Sequence, residues 1–224
     1  MEAKEFQKKG NKKQQEQRSK KEDKNAFPYS FLGVNIEEPQ KLYNIVLDVL
    51  SKPSNETSSF NSDEVTSLIK TKLSNENNES NSIWKFTKTL HITTFFHYKN
   101  YDRQSPILLG FEADREATVK VIGVAIVPNN IITLIVLTNE LVENKFPHVT
   151  FMIGNYKPVM SNNVMCALFD QGGPYEKEYQ KIKEGEKCPV KGKVNVKILD
   201  KDEDVYLELF ENPIEVKGKL KGFK

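Results

Sequence analysis

The chain has 224 residues, 33 Lys/Arg against 31 Asp/Glu for a formal net charge of +2, and 38% hydrophobic residues at a mean hydropathy of −0.58. That length suits one domain or two small lobes that fold together, and a nearly neutral chain excludes a broad nucleic-acid footprint that neutralises many phosphates. The net positive charge comes from residues 1–26, where nine basic residues face five acidic ones for +4, so the remainder is near −2.

A tail so poor in apolar side chains cannot offset the entropy of ordering, and residues 1–26 are expected to be disordered, with 27–224 forming a single domain. The tail reads either as a polycation that holds RNA phosphates or as a solubilising segment without a specific partner. Next, "YSFLGVNI" (29–36) reads as a strand and "EEPQKLYNIVLDVL" (37–50) as a helix. In the latter, Leu42, Ile45, Val46, Val49 and Leu50 recur at helical spacing, and the acids and Pro39 suit its first turn. After a polar loop, "SDEVTSLIKTKL" (62–73) predicts a second helix, with Ser62 as its cap and Val65, Leu68, Ile69 and Leu73 as the buried stripe. "SNENNESNS" (74–82) is a low-complexity surface loop.

Strands dominate from there. "WKFTKTLHITTFFHY" (84–98) is one strand, or two joined by a kink, with Trp84 as core. The most apolar run, "VIGVAIVPNNIITLIVL" (121–137), is short for a membrane span and is split by Pro128-Asn129-Asn130, which predicts a hairpin. "TNELVENK" (138–145) predicts a short helix or turn, "HVTFMI" (148–153) a strand, and "KPVMSNNVMCALFD" a helix from about Asn162 capped by Ser161. "KGKVNVKILD" and "VYLELFE" read as a closing antiparallel pair, with "DKDED" (200–204) as a charged turn. With early helices, hairpin-connected strands and no Gly-rich phosphate loop, the expected class is α+β with antiparallel sheets. Cys166 and Cys188 form no Cys-x-x-Cys pair, and the charged start has no apolar signal core, so a reducing cytoplasmic or nuclear location is expected.

Two of the three histidines share one pattern. "TLHITTFF" and "FPHVTFMIG" both place His-aliphatic-Thr inside a strand, and His91 and His148 are 57 residues apart. In a strand, residues i and i+2 share a face, so His91 joins Thr93 and His148 joins Thr150, while Ile92 and Val149 point to the core. If the two strands are neighbours, two imidazoles and two hydroxyls converge on one cleft. Such a set suits a phosphodiester: a neutral imidazole takes a proton from water, an imidazolium protonates the leaving oxygen, and hydroxyls hold the non-bridging oxygens. Two imidazoles that handle both protons need no metal or other cofactor, and no metal-ligand motif is evident. The alternatives are a pocket that binds without turnover, or histidines that are idle.

The two motifs resemble the 2H phosphoesterases, and most of all the cyclic phosphodiesterase domain of fungal and plant tRNA ligases. "FLGVNI" and its helix are similar to that domain's opening, and "FPHVTFMIGNYKPVMSNNVMCAL" to its second motif and following helix. The resemblance implies a bilobal fold with two antiparallel sheets flanked by helices around a central cleft. It also implies hydrolysis of RNA 2′,3′-cyclic phosphate ends to 2′-phosphates, as in RNA repair and tRNA splicing. On it, His91 is the acid at the ribose 3′-oxygen, His148 the base for water, roles that symmetry allows to be exchanged, and Thr93 and Thr150 bind phosphate. The first motif departs from the family at Thr94, where an apolar residue is usual, which alters packing behind the site. The neighbouring kinase and ligase motifs of a tRNA ligase are absent, so the chain is expected to act alone as a monomer or within an RNA-processing complex. Further candidates for RNA contact are His97, on the His91 face by strict alternation, Tyr98 and Tyr101 as base-stacking rings, and Lys157 and Arg103 for a second phosphate. The competing readings are an inactive nucleotide- or RNA-end-binding module and an assembly subunit using its tail and open sheet surfaces.

Overall fold

The computed structural model describes residues 28–52, 62–74, 82–96 and 105–224. The basic tail, the expected loops after residues 52 and 74, and His97, Tyr98, Tyr101 and Arg103 lie outside the described residues. Eight strands form one sheet: β1 (Phe31–Ile36), β2 (Lys85–Phe86), β3 (His91–Phe96), β4 (Glu116–Val127), β5 (Ile131–Thr138), β6 (His148–Ile153), β7 (Val190–Ile198) and β8 (Lys201–Phe223). The helices are α1 (Pro39–Ser51), α2 (Ser62–Leu73), α3 (Pro106–Leu109), α4 (Met160–Phe169) and α5 (Glu176–Lys183). The class is α+β, as the pattern of elements predicted.

The strand order is β1-β3-β6-β5-β4-β8-β7, and every pairing is antiparallel. The end of β8 also pairs with β1, from Phe31↔Phe223 to Ile36↔Gly218, so the path returns to its start. Two separate sheets were expected; hydrogen bonding instead joins all the strands into one. The reason is the length of β8. Its first half pairs with β7 and the end of β4, and its second half with the start of β4 and with β1. At the changeover, Gly123 faces Leu209 and Val121 faces Ile214, so residues 210–213 stand opposite Ile122 alone. Pro213, which lacks an N–H, falls inside this bulge, where the ladder needs no donor and the strand can turn.

Two buried cores lie on opposite faces of the sheet. On one face, Leu42, Ile45 and Val46 of α1 and Val65 and Ile69 of α2 meet Val34, Ile92, Val119, Leu134 and Val149. Each such fully buried aliphatic side chain contributes about 1.5–3 kcal/mol relative to exposure. On the other face, Val164, Leu168 and Phe169 of α4 and Tyr179 and Ile182 of α5 meet Ile122, Ile135, Val196 and Leu207. Trp84 is buried with the first core. The apolar run of 121–137 is the β4–β5 hairpin, turning through Pro128 with Asn129 at φ 59°, a left-handed conformation that Asn tolerates. No helix among the described residues is long and apolar enough to cross a membrane.

Several local expectations are narrowed or changed. Of the short helix or turn expected over 138–145 the helix is absent, and residues 139–147 are bends and irregular backbone. Helix α4 begins at Met160, two residues before the expected start, and Ser161 is inside it and buried. Residues Lys201–Asp204 belong to β8, so the turn between β7 and β8 is confined to Leu199 and Asp200. Helix α5 and the second half of β8 were not legible in the sequence. The two cysteines are free thiols, each partly buried.

Gly123 marks how closely β8 approaches β4. A Cβ there would lie 2.5 Å from the Glu208 carbonyl oxygen and 2.9 Å from Leu209 Cδ2. Gly123→Ala is therefore expected to cost about 1–3 kcal/mol, as overpacking does. Equilibrium urea denaturation measures this, and an unchanged midpoint would show that the two strands have room to separate.

Candidate active site

Strands β3 and β6 meet at one backbone pair, Ile92↔Val149. Both side chains are fully buried in the core behind the sheet, which turns their neighbours to the opposite face. Extending the antiparallel register places His91 opposite Thr150 and Thr93 opposite His148. In that register the four groups alternate around a quadrangle, the histidines on one diagonal and the threonines on the other. Pairing ends there because the segment between β2 and β3 bulges. Phe86 pairs with Met152, the Thr87 N–H reaches the Phe151 carbonyl, and the Thr87 hydroxyl donates to the Thr150 carbonyl at 2.9 Å.

Both imidazoles are oriented in the same way. His91 Nδ1 lies 3.0 Å from the Thr89 carbonyl, and His148 Nδ1 lies 2.8 Å from the Phe146 carbonyl, each two residues back in the chain. A carbonyl only accepts, so each Nδ1 carries the hydrogen and each Nε2 is left for chemistry. Burial lowers the pKa of both rings from the ordinary 6.5, opposed in each by that carbonyl bond. For His148 a third cause acts in the same direction as burial: positive charge on His91. The pair therefore resists double protonation, while one proton on either ring is tolerated.

The hydroxyls are not equivalent. Thr150 Oγ1 is 2.8 Å from Ser161 Oγ, and it makes a longer 3.4 Å contact to the Pro158 carbonyl. Ser161 is fully buried in the first turn of α4, so its hydroxyl positions Thr150 instead of capping the helix. Helix α4 thereby fixes one of the two motif hydroxyls. The Thr93 hydroxyl makes no hydrogen bond among the described residues. Thr94 takes the buried place expected of an apolar residue, at 2% exposure, and its Oγ1 is buried without a partner among the described residues.

An aromatic wall closes one side. The His91 ring is 5.0 Å from Phe31 and 4.9 Å from Phe223, and those two phenyl rings stack at 4.5 Å. Phe96 joins at 5.9 Å from Phe31. It reaches this face because the register shifts between Leu32 and Gly33: Phe95 faces Leu32, Thr93 faces Gly33, and Thr94 is left over. Strict alternation along β3 is broken at this bulge, between His91 and Phe96. Phe31, Phe223 and Ser161 were missed as site residues. Phe31 lay in a strand already legible, whereas the place of Phe223 depends on the second half of β8. Lys157 is exposed and lines a separate hollow of about 390 Å³ with Tyr156, Ile198 and Leu199, which none of the four motif residues lines.

Two neighbouring strands that each present His-x-Thr to one face define the arrangement for which 2H phosphoesterases are named. The model of the fungal tRNA ligase phosphodiesterase domain matches residues 1–198, and the chain belongs to that family. Among solved structures it is similar to a crystal structure of a fungal RNA kinase, at 13% identity and a TM-score of 0.53, covering 91% of this chain. The chain spans about half, 47%, of that protein, and the likeness is one of fold. No curated protein matches the chain.

The depressed imidazole values have a consequence for stability. Below pH 6.5 an unfolded chain takes up protons on His91 and His148 that the folded protein refuses. The stability difference is fully present above 6.5 and is lost as pH falls through the lower folded values. The urea midpoint should therefore drop between pH 6.5 and 5, and His148→Gln should flatten part of that slope. An identical slope in the variant would mean that His148 is not held neutral by burial.

Proposed function

We propose that the chain is a metal-independent phosphodiesterase that opens RNA 2′,3′-cyclic phosphate ends to 2′-phosphates. The observation that carries this reading is the Ile92↔Val149 pairing, which sets two imidazoles and two hydroxyls around one space on one sheet face. Family membership supports RNA-end processing by phosphoester chemistry. The cyclic phosphate would lie over the quadrangle, its non-bridging oxygens taking hydrogen bonds from Thr93 and Thr150. His148 Nε2 removes a proton from water as the oxygen attacks phosphorus in line with the P–O3′ bond. That bond breaks, and the proton on His91 Nε2 passes to the departing 3′-oxygen. The product is a 2′-phosphomonoester and a free 3′-hydroxyl; His148 ends protonated and His91 neutral, and exchange with solvent resets both. Mutual repulsion between the rings favours the singly protonated pair that this cycle requires.

His91→Ala and His148→Ala are each expected to lower kcat by about 10²–10⁴-fold on a cyclic-phosphate oligoribonucleotide, with a cooperative thermal unfolding transition retained well above the assay temperature. Chelator should leave the wild-type rate intact. Saturable RNA-end binding by wild-type protein without product formation would replace this reading with a binding module.

The rate should also report the pair's protonation. The productive free enzyme carries one proton, between two macroscopic values that both lie below 6.5. A plot of kcat/KM against pH should accordingly be bell-shaped, with its maximum on the acid side of 6.5. A maximum above pH 7.5 is incompatible with these imidazoles as the acid and base.

A further inference from the structure

We propose that Lys221 binds the phosphodiester one nucleotide upstream of the reacting end, so that the site is built for an RNA strand and not for a cyclic mononucleotide. This rests on the phosphodiesterase reading above. Residues in register on adjacent strands point to the same face. Gly33 faces Thr93 on one side and Lys221 on the other, so His148, Thr93, Gly33 and Lys221 form one row across the sheet. Contact between Phe223 and His91 confirms that this end of β8 shows the same face as the motif histidines. Two strand spacings of about 4.7–4.9 Å put the Lys221 backbone about 9–10 Å from that of Thr93, and its flexible stem can reach back over part of that gap.

The charge is not held in a bond. Lys219, the next lysine on the same face, pairs with Glu37 at 3.2 Å, whereas Lys221 makes no ion pair among the described residues and acts on Glu37 only as a weaker, more distant charge. Beside it, Phe96 is 40% exposed, and Phe31 and Phe223 are partly exposed. Cations for phosphates next to aromatic faces for bases are how single-stranded RNA is held on a sheet. Gly33 leaves the row open for this: a Cβ there would lie 3.2 Å from the Phe223 ring and 2.6 Å from the Ile92 carbonyl oxygen.

The test compares a 2′,3′-cyclic mononucleotide, which has no upstream phosphate, with a short oligoribonucleotide carrying the same end. Lys221→Ala is expected to raise KM about five- to tenfold more on the oligonucleotide than on the mononucleotide, with kcat retained, and Lys221→Arg to restore most of the loss. On the oligonucleotide, the slope of log kcat/KM against log salt should become shallower by about 0.7, the value of one single-strand phosphate contact. An equal loss on both substrates would place Lys221 at the reacting phosphate, and no loss on either would remove it from the site; both overturn the proposal. If wild-type protein turns over neither substrate, the functional reading fails separately. Fluorescence anisotropy with the same oligonucleotide, at several salt concentrations, then decides whether Lys221 still contributes its phosphate contact.

Discussion

Ile92 and Val149 face each other across an antiparallel pair, their side chains sealed in the core behind the sheet. An antiparallel register has a local twofold axis at such a point, and everything one residue away on either strand is related by it. His91 and His148 are therefore equivalent positions, as are Thr93 and Thr150, before any side-chain detail is considered. The same axis explains why each imidazole uses the carbonyl two residues before it. Local geometry is copied, and what distinguishes the two halves comes from their surroundings. Helix α4 supplies Ser161 to Thr150, while β1 and β8 supply phenyl rings to His91.

Those surroundings divide the electrostatic work. Burial disfavours charge on either ring, and the proximity of the rings disfavours charge on both at once. An anionic ligand reverses the first effect, since negative charge between the rings favours a proton on one of them. The second effect persists. A bound phosphate would therefore favour one proton on the pair and still oppose a second. On the proposed reading, the buried setting of the histidines would couple ligand binding to the uptake of that one proton.

Much of the site was legible because its signal is local. His-x-Thr flanked by aliphatic residues has a period of two, and the buried partners Ile92 and Val149 announce which face is free. Helices α1 and α2 were equally plain from their stripes. The long-range closure was not legible. The second half of β8, "VKGKLKGF", keeps strand alternation in Val216 and Leu220, but Gly218 and Gly222 occupy the remaining inward positions and erase half of the apolar signal. With it went the single continuous sheet and the aromatic wall. Helix α5 buries only Tyr179 and Ile182 on an otherwise charged segment, too few for a periodicity to stand out. Ser161 was misread for a different reason. Serine near a helix start suits a cap, and only tertiary structure shows that its hydroxyl is bonded to Thr150.

The stacking of Phe223 on Phe31 and its approach to His91 tie the end of β8 to the imidazole of the first motif. Any segment joined after Lys224, whether an affinity tag or a neighbouring domain, emerges one residue from that ring. Such a tether would cast a steric shadow over the aromatic wall and tug directly on the imidazole's packing. Fusions to this end would thus act on the packing of the His91 ring, whereas the solvent-facing β7–β8 hairpin turn at Leu199, on the far side of the sheet path, offers an attachment point that leaves the ring undisturbed.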